Sequence, residues 1–171
     1  MEAETLYGEL ARDDPSLRPK QAAARLEFQM QNLPASARKA VTSPRVTRAQ
    51  LATLLFTLVP EVAAARLPPG GDVAIDVLDR SERVPLVRTI GLGFFTVSRE
   101  THLVGADAPV LRNEMPGHIR RLAALLGSHD ETCFLSPASL AVCGILPETT
   151  SRHVSGREAF AAIDATLGLS R

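Results

Sequence analysis

The sequence has no excess of charge of either sign, since its 19 basic and 19 acidic side chains give a formal net charge of zero. A protein that binds nucleic acid by neutralising phosphates needs a strong basic excess, so we expect no nucleic-acid partner. The chain also lacks any run of about 18 apolar residues, so no transmembrane segment is expected. Its start, MEAETLYGEL, does not have the basic and then apolar layout of a signal peptide. This start fits either a cytoplasmic protein or a mature or shortened form with a replaced start.

Motifs for metal binding and for catalysis are missing as well. The only cysteines are Cys133 and Cys143, and neither these nor the four histidines have metal-ligand spacing, so no metal or cofactor is predicted. The favoured interpretation of both cysteines is as small buried apolar side chains, with a disulfide as the alternative in an oxidising compartment. The chain has no G-x-S-x-G elbow and no phosphate-binding glycine-rich loop, so we expect no enzymatic activity.

Three segments of the chain resemble one another, namely VTRAQLATLL (46–55), VLRNEMPGHI (110–119) and VSGREAFAAI (154–163). They align on Val46, Val110 and Val154, and apolar residues then recur three to four positions apart. Such spacing predicts a helix with one buried stripe. The aligned apolar positions are Leu51, Met115 and Ala159, then Leu55, Ile119 and Ile163, and further along Leu58, Leu122, Val59, Ala123 and Leu167.

The starts of these helices carry their own signals. In a capping box, the first hydroxyl accepts from the backbone N–H three residues on, and the Gln or Glu there reaches back to the cap. The first and third segments have the pairs Thr47 with Gln50 and Ser155 with Glu158. The middle segment lacks the hydroxyl. There we predict that Asn113 caps a slightly later start, because Pro116 is tolerated only in the first turn of a helix.

A weaker, shorter helix is predicted before each of the three. These helices are RPKQAAARLEFQMQN ending at Asn32, SERVPLVRTIG ending at Gly91 and SPASLAVCG ending at Gly144. Gly and Asn most readily adopt the left-handed conformation that ends a helix. The repeated unit is therefore a helix, a stop, a surface loop of variable length and a capped helix. The segment VPEVAAARLPPGGD (59–72) is predicted to be a helix end followed by a linker between the first two units.

This pattern resembles the S-layer homology domain, whose repeats open with an aspartate-containing stretch and carry a helix beginning T-R-A-E. VTRAQLATLL is the best single match, IDV (75–77) stands at the opening position, and HLVGADAPVLRNE (102–114) stands where the loop and the second motif belong. The resemblance covers about residues 18–168. AETLYGELARDDP (3–15) looks like the end of a tetratricopeptide repeat, and such repeats precede one variant of this domain. We therefore predict an N-terminal helix at 1–16 and a domain at 17–171, with units at about 17–60, 72–126 and 129–169.

The resemblance implies an all-α fold in which three helix–loop–helix units form a pseudo-threefold spindle. The T-R-A-E helices would lie along its axis, and grooves between units would bind anionic, often pyruvylated, cell-wall polysaccharide. Such a protein would be a non-catalytic anchor in the bacterial cell envelope. An arginine at a helix N-terminus suits a carboxylate, because its guanidinium adds two donors to the field of the helix. The site residues carried over by resemblance are Arg48, Thr47, Gln50, Arg112, Glu114 and Asp76.

The sequence departs from that family in three respects. The grooves of the family usually carry an aromatic residue, commonly Trp, and this chain has no Trp. Gly156 stands where the third unit would have its arginine, and Gln50 stands in place of the first glutamate. These departures favour a second hypothesis, a protein-interaction or scaffold subunit of an envelope complex that has lost polysaccharide binding. For Arg48 itself, the alternative is a solvated side chain near a helix start.

Overall fold

The computed structural model describes residues 18–65, 80–96, 105–128 and 132–170. Across these ranges the protein is mostly helical, so the predicted all-α class is confirmed. The α-helices are α1 (Arg18–Asn32), α2 (Ala35–Thr42), α3 (Arg48–Leu58), α4 (Pro60–Ala64), α5 (Arg80–Gly91), α6 (Met115–Leu125), α7 (Pro137–Val142) and α8 (Gly156–Leu169). Two short 3-10 turns lie at Arg112–Glu114 and Thr132–Phe134. The predicted N-terminal helix at 1–16, Asp76 and most of the predicted linker lie outside the described residues.

Helix α3 lies at the centre of the core. It packs against α2, α4, α5 and α8, and α8 in turn packs against α6. Because neighbours surround it, α3 buries residues on more than one face, as a helix that is apolar all round does. Leu51, Leu54 and Leu55 of this helix are at most 2% exposed. The predicted apolar stripe is confirmed in all three capped helices, with Met115, Ile119, Ala159 and Ile163 also buried.

Helix α2 was not predicted, because the segment between Asn32 and Val46 was interpreted as a surface loop. The structure places an eight-residue helix there and buries Ala37, Ala40 and Val41. Their spacing of three and then one residue is that of one helical face, so the signal was present in a short segment. The helix is inserted between α3 and α8 and packs against both.

The predicted capping boxes are confirmed at α3 and α8. At α3 the Thr47 hydroxyl accepts from the Gln50 N–H at 3.2 Å, and the Gln50 side chain accepts from the Thr47 N–H at 3.0 Å. At α8, Ser155 and Glu158 form the same reciprocal pair. These bonds satisfy N–H groups that a helix start would otherwise leave without a partner.

The middle capped helix starts differently from the prediction. A 3-10 turn at Arg112–Glu114 comes first, α6 starts at Met115, and Asn113 is not its cap. Half of the box remains, since the Glu114 carboxylate accepts from the Leu111 N–H at 2.9 Å, while leucine has no hydroxyl to return the bond. Pro116 does lie in the first turn of α6, as predicted.

The three aligned valines meet in the interior. The Val46 N–H donates to the Val154 carbonyl at 2.9 Å, the Val154 N–H to Val110 at 3.4 Å, and the Val110 N–H to Val46 at 2.8 Å. All three residues are 0% exposed. Each segment therefore donates one hydrogen bond and accepts another, and the three bonds close a ring. The complete three-repeat spindle, with the predicted unit boundaries, stays a prediction.

The stops of the short helices are only partly as predicted. The helices end at or near the predicted residues, and Gly144 has the expected left-handed conformation with φ of 71°. After α5, the left-handed residue is Gly93 with φ of 81°, two positions beyond the predicted Gly91. Cys133 and Cys143 form a disulfide that encloses α7, so the favoured interpretation of two free buried thiols was wrong.

Candidate ligand site at the segment junctions

Arginine and glutamate side chains join each aligned segment to the next. Arg48, at the third position of the first segment, pairs with Glu114, at the fifth position of the second, with 3.3 Å between Nη2 and Oε1. Arg112 of the second segment pairs in the same way with Glu158 of the third, at 2.7 Å. Equivalent positions therefore make equivalent contacts at two junctions, which we call the first junction (Arg48–Glu114) and the second junction (Arg112–Glu158).

The third junction has neither member of the pair. By the same rule, residue 156 would pair with residue 50, and these are Gly156 and Gln50. A Cβ atom on Gly156 would lie 1.8 Å from the Ala40 carbonyl oxygen, so no side chain fits there. The C-terminal turn of α2 occupies this space, and the Gly156 N–H donates to the Ser43 carbonyl at 2.8 Å. Gly156 and Gln50, the two departures seen in the sequence, therefore belong to the same structural change, the packing of α2 at the third junction.

Arg112 is used inside the protein. Its side chain is 8% exposed, and its guanidinium donates to the carbonyls of Pro147, Ser151 and His153 at 2.8, 3.0 and 3.3 Å, besides pairing with Glu158. These bonds hold the loop before α8 in place. A fully engaged, buried guanidinium is a structural group, so we assign Arg112 to the stability of the second junction rather than to ligand binding.

Arg48 is in a more open setting. Its side chain is 29% exposed and Glu114 is 32% exposed. A Cβ on Gly105 would lie 3.5 Å from Arg48 Nη1, so the backbone at Gly105 passes beside the guanidinium. His118, one turn after Glu114 on α6, packs on Phe95 with 5.1 Å between ring centroids. The first junction thus combines a cation, an anion, a histidine and one aromatic ring.

The backbone at the start of α3 does not offer free N–H groups to an anion. The Arg48 N–H donates to the Ala108 carbonyl and the Ala49 N–H to the Ala106 carbonyl, each at 3.0 Å. The N–H groups of Thr47 and Gln50 are used by the capping box. The expectation that these backbone groups would help to bind a carboxylate is therefore not met, and the Arg48 side chain is the group that a ligand could reach.

Two titratable groups at these junctions have shifted pKa values. Burial lowers the pKa of His118 below its usual value of 6.5, the charge of Arg48 acts in the same direction, and Glu114 and the backbone of Phe94 act against it. Burial would raise the pKa of Glu158. Hydrogen bonds from the Ser155 N–H, Arg112 and the Ser155 hydroxyl outweigh it and hold that pKa below the usual 4.5.

The structure brings together four of the six predicted site residues at the first junction: Thr47, Arg48, Gln50 and Glu114. Thr47 and Gln50 act there as a cap. Arg112 belongs to the second junction, and Asp76 lies outside the described residues. The motif positions did not predict Glu158 or His118 as site residues. Aligning the fifth positions would have suggested Glu158, whereas the role of His118 depends on where the Phe94–Phe95 turn packs.

Comparison with protein-family models, with curated proteins and with solved structures finds no match to this chain. Among the described residues, no group of three or more His, Cys, Asp or Glu side chains could hold a metal ion. In the same ranges, no helix is both long and apolar enough to cross a membrane.

Proposed function

We propose that this protein is a non-catalytic anchoring module of the bacterial cell envelope, with one working polysaccharide groove at the first junction. The observation that carries the proposal is the contrast between the two arginines. Arg48 is partly exposed at the first junction, whereas Arg112 is buried and donates to three backbone carbonyls besides Glu158. A carboxylate of the polymer would bind Arg48 in competition with Glu114, whose contact at 3.3 Å is a partly exposed ion pair of modest energy.

Two further features support the spindle arrangement on which this proposal rests. The hydrogen bonds among Val46, Val110 and Val154 close a ring through equivalent positions. The arginine of one segment reaches the glutamate of the next at two successive junctions. The binding stoichiometry expected from this arrangement is one polymer carboxylate per chain, because α2 fills the third junction and Arg112 is used internally at the second.

The disulfide supports a location in the envelope. Disulfides persist in oxidising compartments such as the periplasm and the cell surface and are rare in the cytosol. Cys133 and Cys143 are bonded to each other, and the described residues contain no free cysteine.

The test is co-sedimentation of the purified protein with cell-wall sacculi that retain their polysaccharide, beside sacculi stripped with acid. The wild type should bind the first and not the second. Arg48→Ala should reduce binding at least 10-fold, since it removes the only charge-assisted contact proposed. Arg120→Ala, which removes an exposed arginine of α6, is the matched control and should bind as the wild type does. Equal binding by Arg48→Ala and wild type would rule out this groove.

A second candidate function is a protein-interaction or scaffold role. Leu135 and Val142, which both lie within the loop closed by the disulfide, are 60% and 88% exposed. Contiguous exposed apolar surface marks protein contacts, and these two residues lie in one disulfide-closed loop. If folded wild-type protein bound neither kind of sacculus, anchoring would be excluded and this role would be favoured. Leu135→Ser with Val142→Ser should then weaken association with the partner protein while leaving the fold intact.

A further inference from the structure

A groove between α1 and α8 lies apart from the first junction. Its volume is about 410 Å³, within the range of roughly 300–1,000 Å³ typical of ligand pockets. Most of its lining is apolar, with Leu26 from α1 and Phe160, Ala161 and Ala165 from α8. Such a lining favours an apolar group of a ligand over a sugar.

Every charged side chain among the described residues that line the groove is already paired. Arg25 of α1 meets Asp164 of α8 at 3.6 Å. Arg157 of α8 meets Glu27 of α1 at 3.3 Å. The fourth charged residue of the lining, Glu158, is bonded to Arg112 at the second junction. Among the described residues, the rim therefore has no uncompensated cation or anion, and charge complementarity favours an uncharged occupant over an anionic polymer.

One polar group in the lining lacks a partner. The side-chain oxygen Oε1 of Gln29, on α1, is buried and receives no hydrogen bond. Buried polar atoms in proteins are nearly always hydrogen-bonded, so an orphaned acceptor beside an apolar groove points to a donor that a ligand supplies. A peptide backbone N–H is such a donor, and in every residue except glycine and proline it lies next to a side chain that could fill the apolar part of the groove.

We propose that the α1/α8 groove binds an uncharged segment of a partner protein. One aliphatic or aromatic side chain of that segment inserts over Phe160 and Ala161, and a backbone N–H donates to Gln29 Oε1. This site is separate from the Arg48 groove and does not depend on polysaccharide binding. The protein would then join a cell-wall contact on one surface to a protein contact on another.

The site can be tested by titrating single-residue probes into the isotopically labelled full chain. Binding is measured from the changes in the amide chemical shifts. N-acetyl-leucinamide and N-acetyl-phenylalaninamide carry an apolar side chain and backbone N–H groups. N-acetylglycinamide lacks the side chain, and N-acetyl-leucine carries a carboxylate instead of the second amide. The two apolar amides should give saturable shifts on α1 and α8, with dissociation constants on the order of 1–10 mM for ligands of this size. The glycine and carboxylate probes should bind at least 5-fold more weakly.

Variants distinguish specific binding in this groove from nonspecific binding elsewhere on the surface. Ala161→Trp fills the groove from an exposed position on α8 and should abolish the saturable shifts. Ala124→Trp places the same ring on an exposed position of α6 and should leave them unchanged. Gln29→Leu keeps the size but removes the acceptor and should weaken binding roughly 2- to 10-fold. Shifts that do not saturate, that fall elsewhere, or that survive Ala161→Trp would overturn the proposal. Arg48→Ala should bind the amides like wild type, so failure of the anchoring proposal leaves this result unaffected.

Discussion

Gly156 shows how one residue decides the shape of a junction. Its neighbours in space are backbone atoms of α2, including the Ala40 and Val41 carbonyl oxygens, which cannot move aside as a flexible side chain can. The close approach of α2 to the start of α8 therefore requires glycine at this position. That requirement explains why the third segment has no arginine.

We predict that Gly156→Ala destabilises the protein by about 3 kcal/mol, because its Cβ would overlap a backbone oxygen and force α2 away from α8. Gly168→Ala is the matched control in the same helix, where a Cβ meets no atom within 4 Å. The control should gain about 0.4–1 kcal/mol from the lower entropy of the unfolded chain. Urea unfolding measures both, and equal stability of the two variants would show that the contact with α2 is not tight.

The two motif arginines should differ strongly in their effect on stability. Arg112→Met removes four bonds from a buried guanidinium and leaves Glu158 without its cation, which we expect to cost about 3–5 kcal/mol. Arg48→Met breaks a partly exposed pair and should cost less, about 1 kcal/mol. Chemical denaturation of both variants measures the difference. If Arg112→Met were as mild as Arg48→Met, the structural role of Arg112 would be wrong.

Among the helices, α7 depends most on covalent closure. It has only six residues, too few to be stable alone, and the disulfide joins the 3-10 turn before it to the residue after it. The Ser136 hydroxyl caps its start by accepting from the Ser139 N–H at 3.1 Å. The cap and the disulfide together keep this short helix in place, with its own Leu140 fully buried in the core.

We predict that Cys133→Ser with Cys143→Ser lowers the free energy of unfolding by about 2–3 kcal/mol, the value expected for losing a crosslink across a short loop. Hydrogen exchange should become faster in α7 before it does in α3, because α3 is held by packing on several sides. Wild type treated with a thiol reductant should behave like the double variant. A reduced wild type with unchanged melting temperature would contradict this prediction.

For the whole molecule, the junctions make stability depend on pH. Both shifted groups have pKa values that are lower in the folded state than in the unfolded chain. The unfolded state therefore binds more protons as pH falls, and stability falls with it. His118 contributes fully above pH 6.5, and its contribution is lost as pH falls from there through its lower folded pKa. Glu158 contributes fully above pH 4.5 and is lost below it in the same way.

We predict that unfolding free energies measured in urea between pH 8 and pH 3 decline in two stages. His118→Gln should flatten the stage that starts at pH 6.5, and Glu158→Gln the stage that starts at pH 4.5. Each substitution also lowers the unfolding free energy at every pH, because packing or hydrogen bonds are lost. This constant loss shifts the whole curve of unfolding free energy against pH downward and does not move the pH at which the other stage starts. A His118→Gln curve parallel to wild type throughout would contradict the first assignment.

The local elements could be predicted from the sequence because their causes are local. Apolar spacing placed the stripes of α3, α6 and α8, and the pairs Thr47–Gln50 and Ser155–Glu158 marked two helix starts within a residue. Helix α2 was missed because eight residues with three buried positions give little periodicity to detect. The start of α6 was misplaced because a 3-10 turn and Pro116 together shift the first helical residue.

The candidate site, in contrast, depended on tertiary packing. Arg48 and Arg112 occupy the same position in the aligned motif, yet one is partly exposed and the other is surrounded by carbonyl oxygens of a loop some 40 residues away in sequence. No local sequence pattern distinguishes the two arginines, since the burial of each side chain depends on which distant segments pack against it. The pairing of Cys133 with Cys143 is of the same kind, because it needs the two Cα atoms brought to 5.7 Å by the fold. The local sequence determines helical periodicity and capping, because both depend on residues within a few positions of one another. Side-chain exposure and long-range contacts are decided only when distant segments pack together.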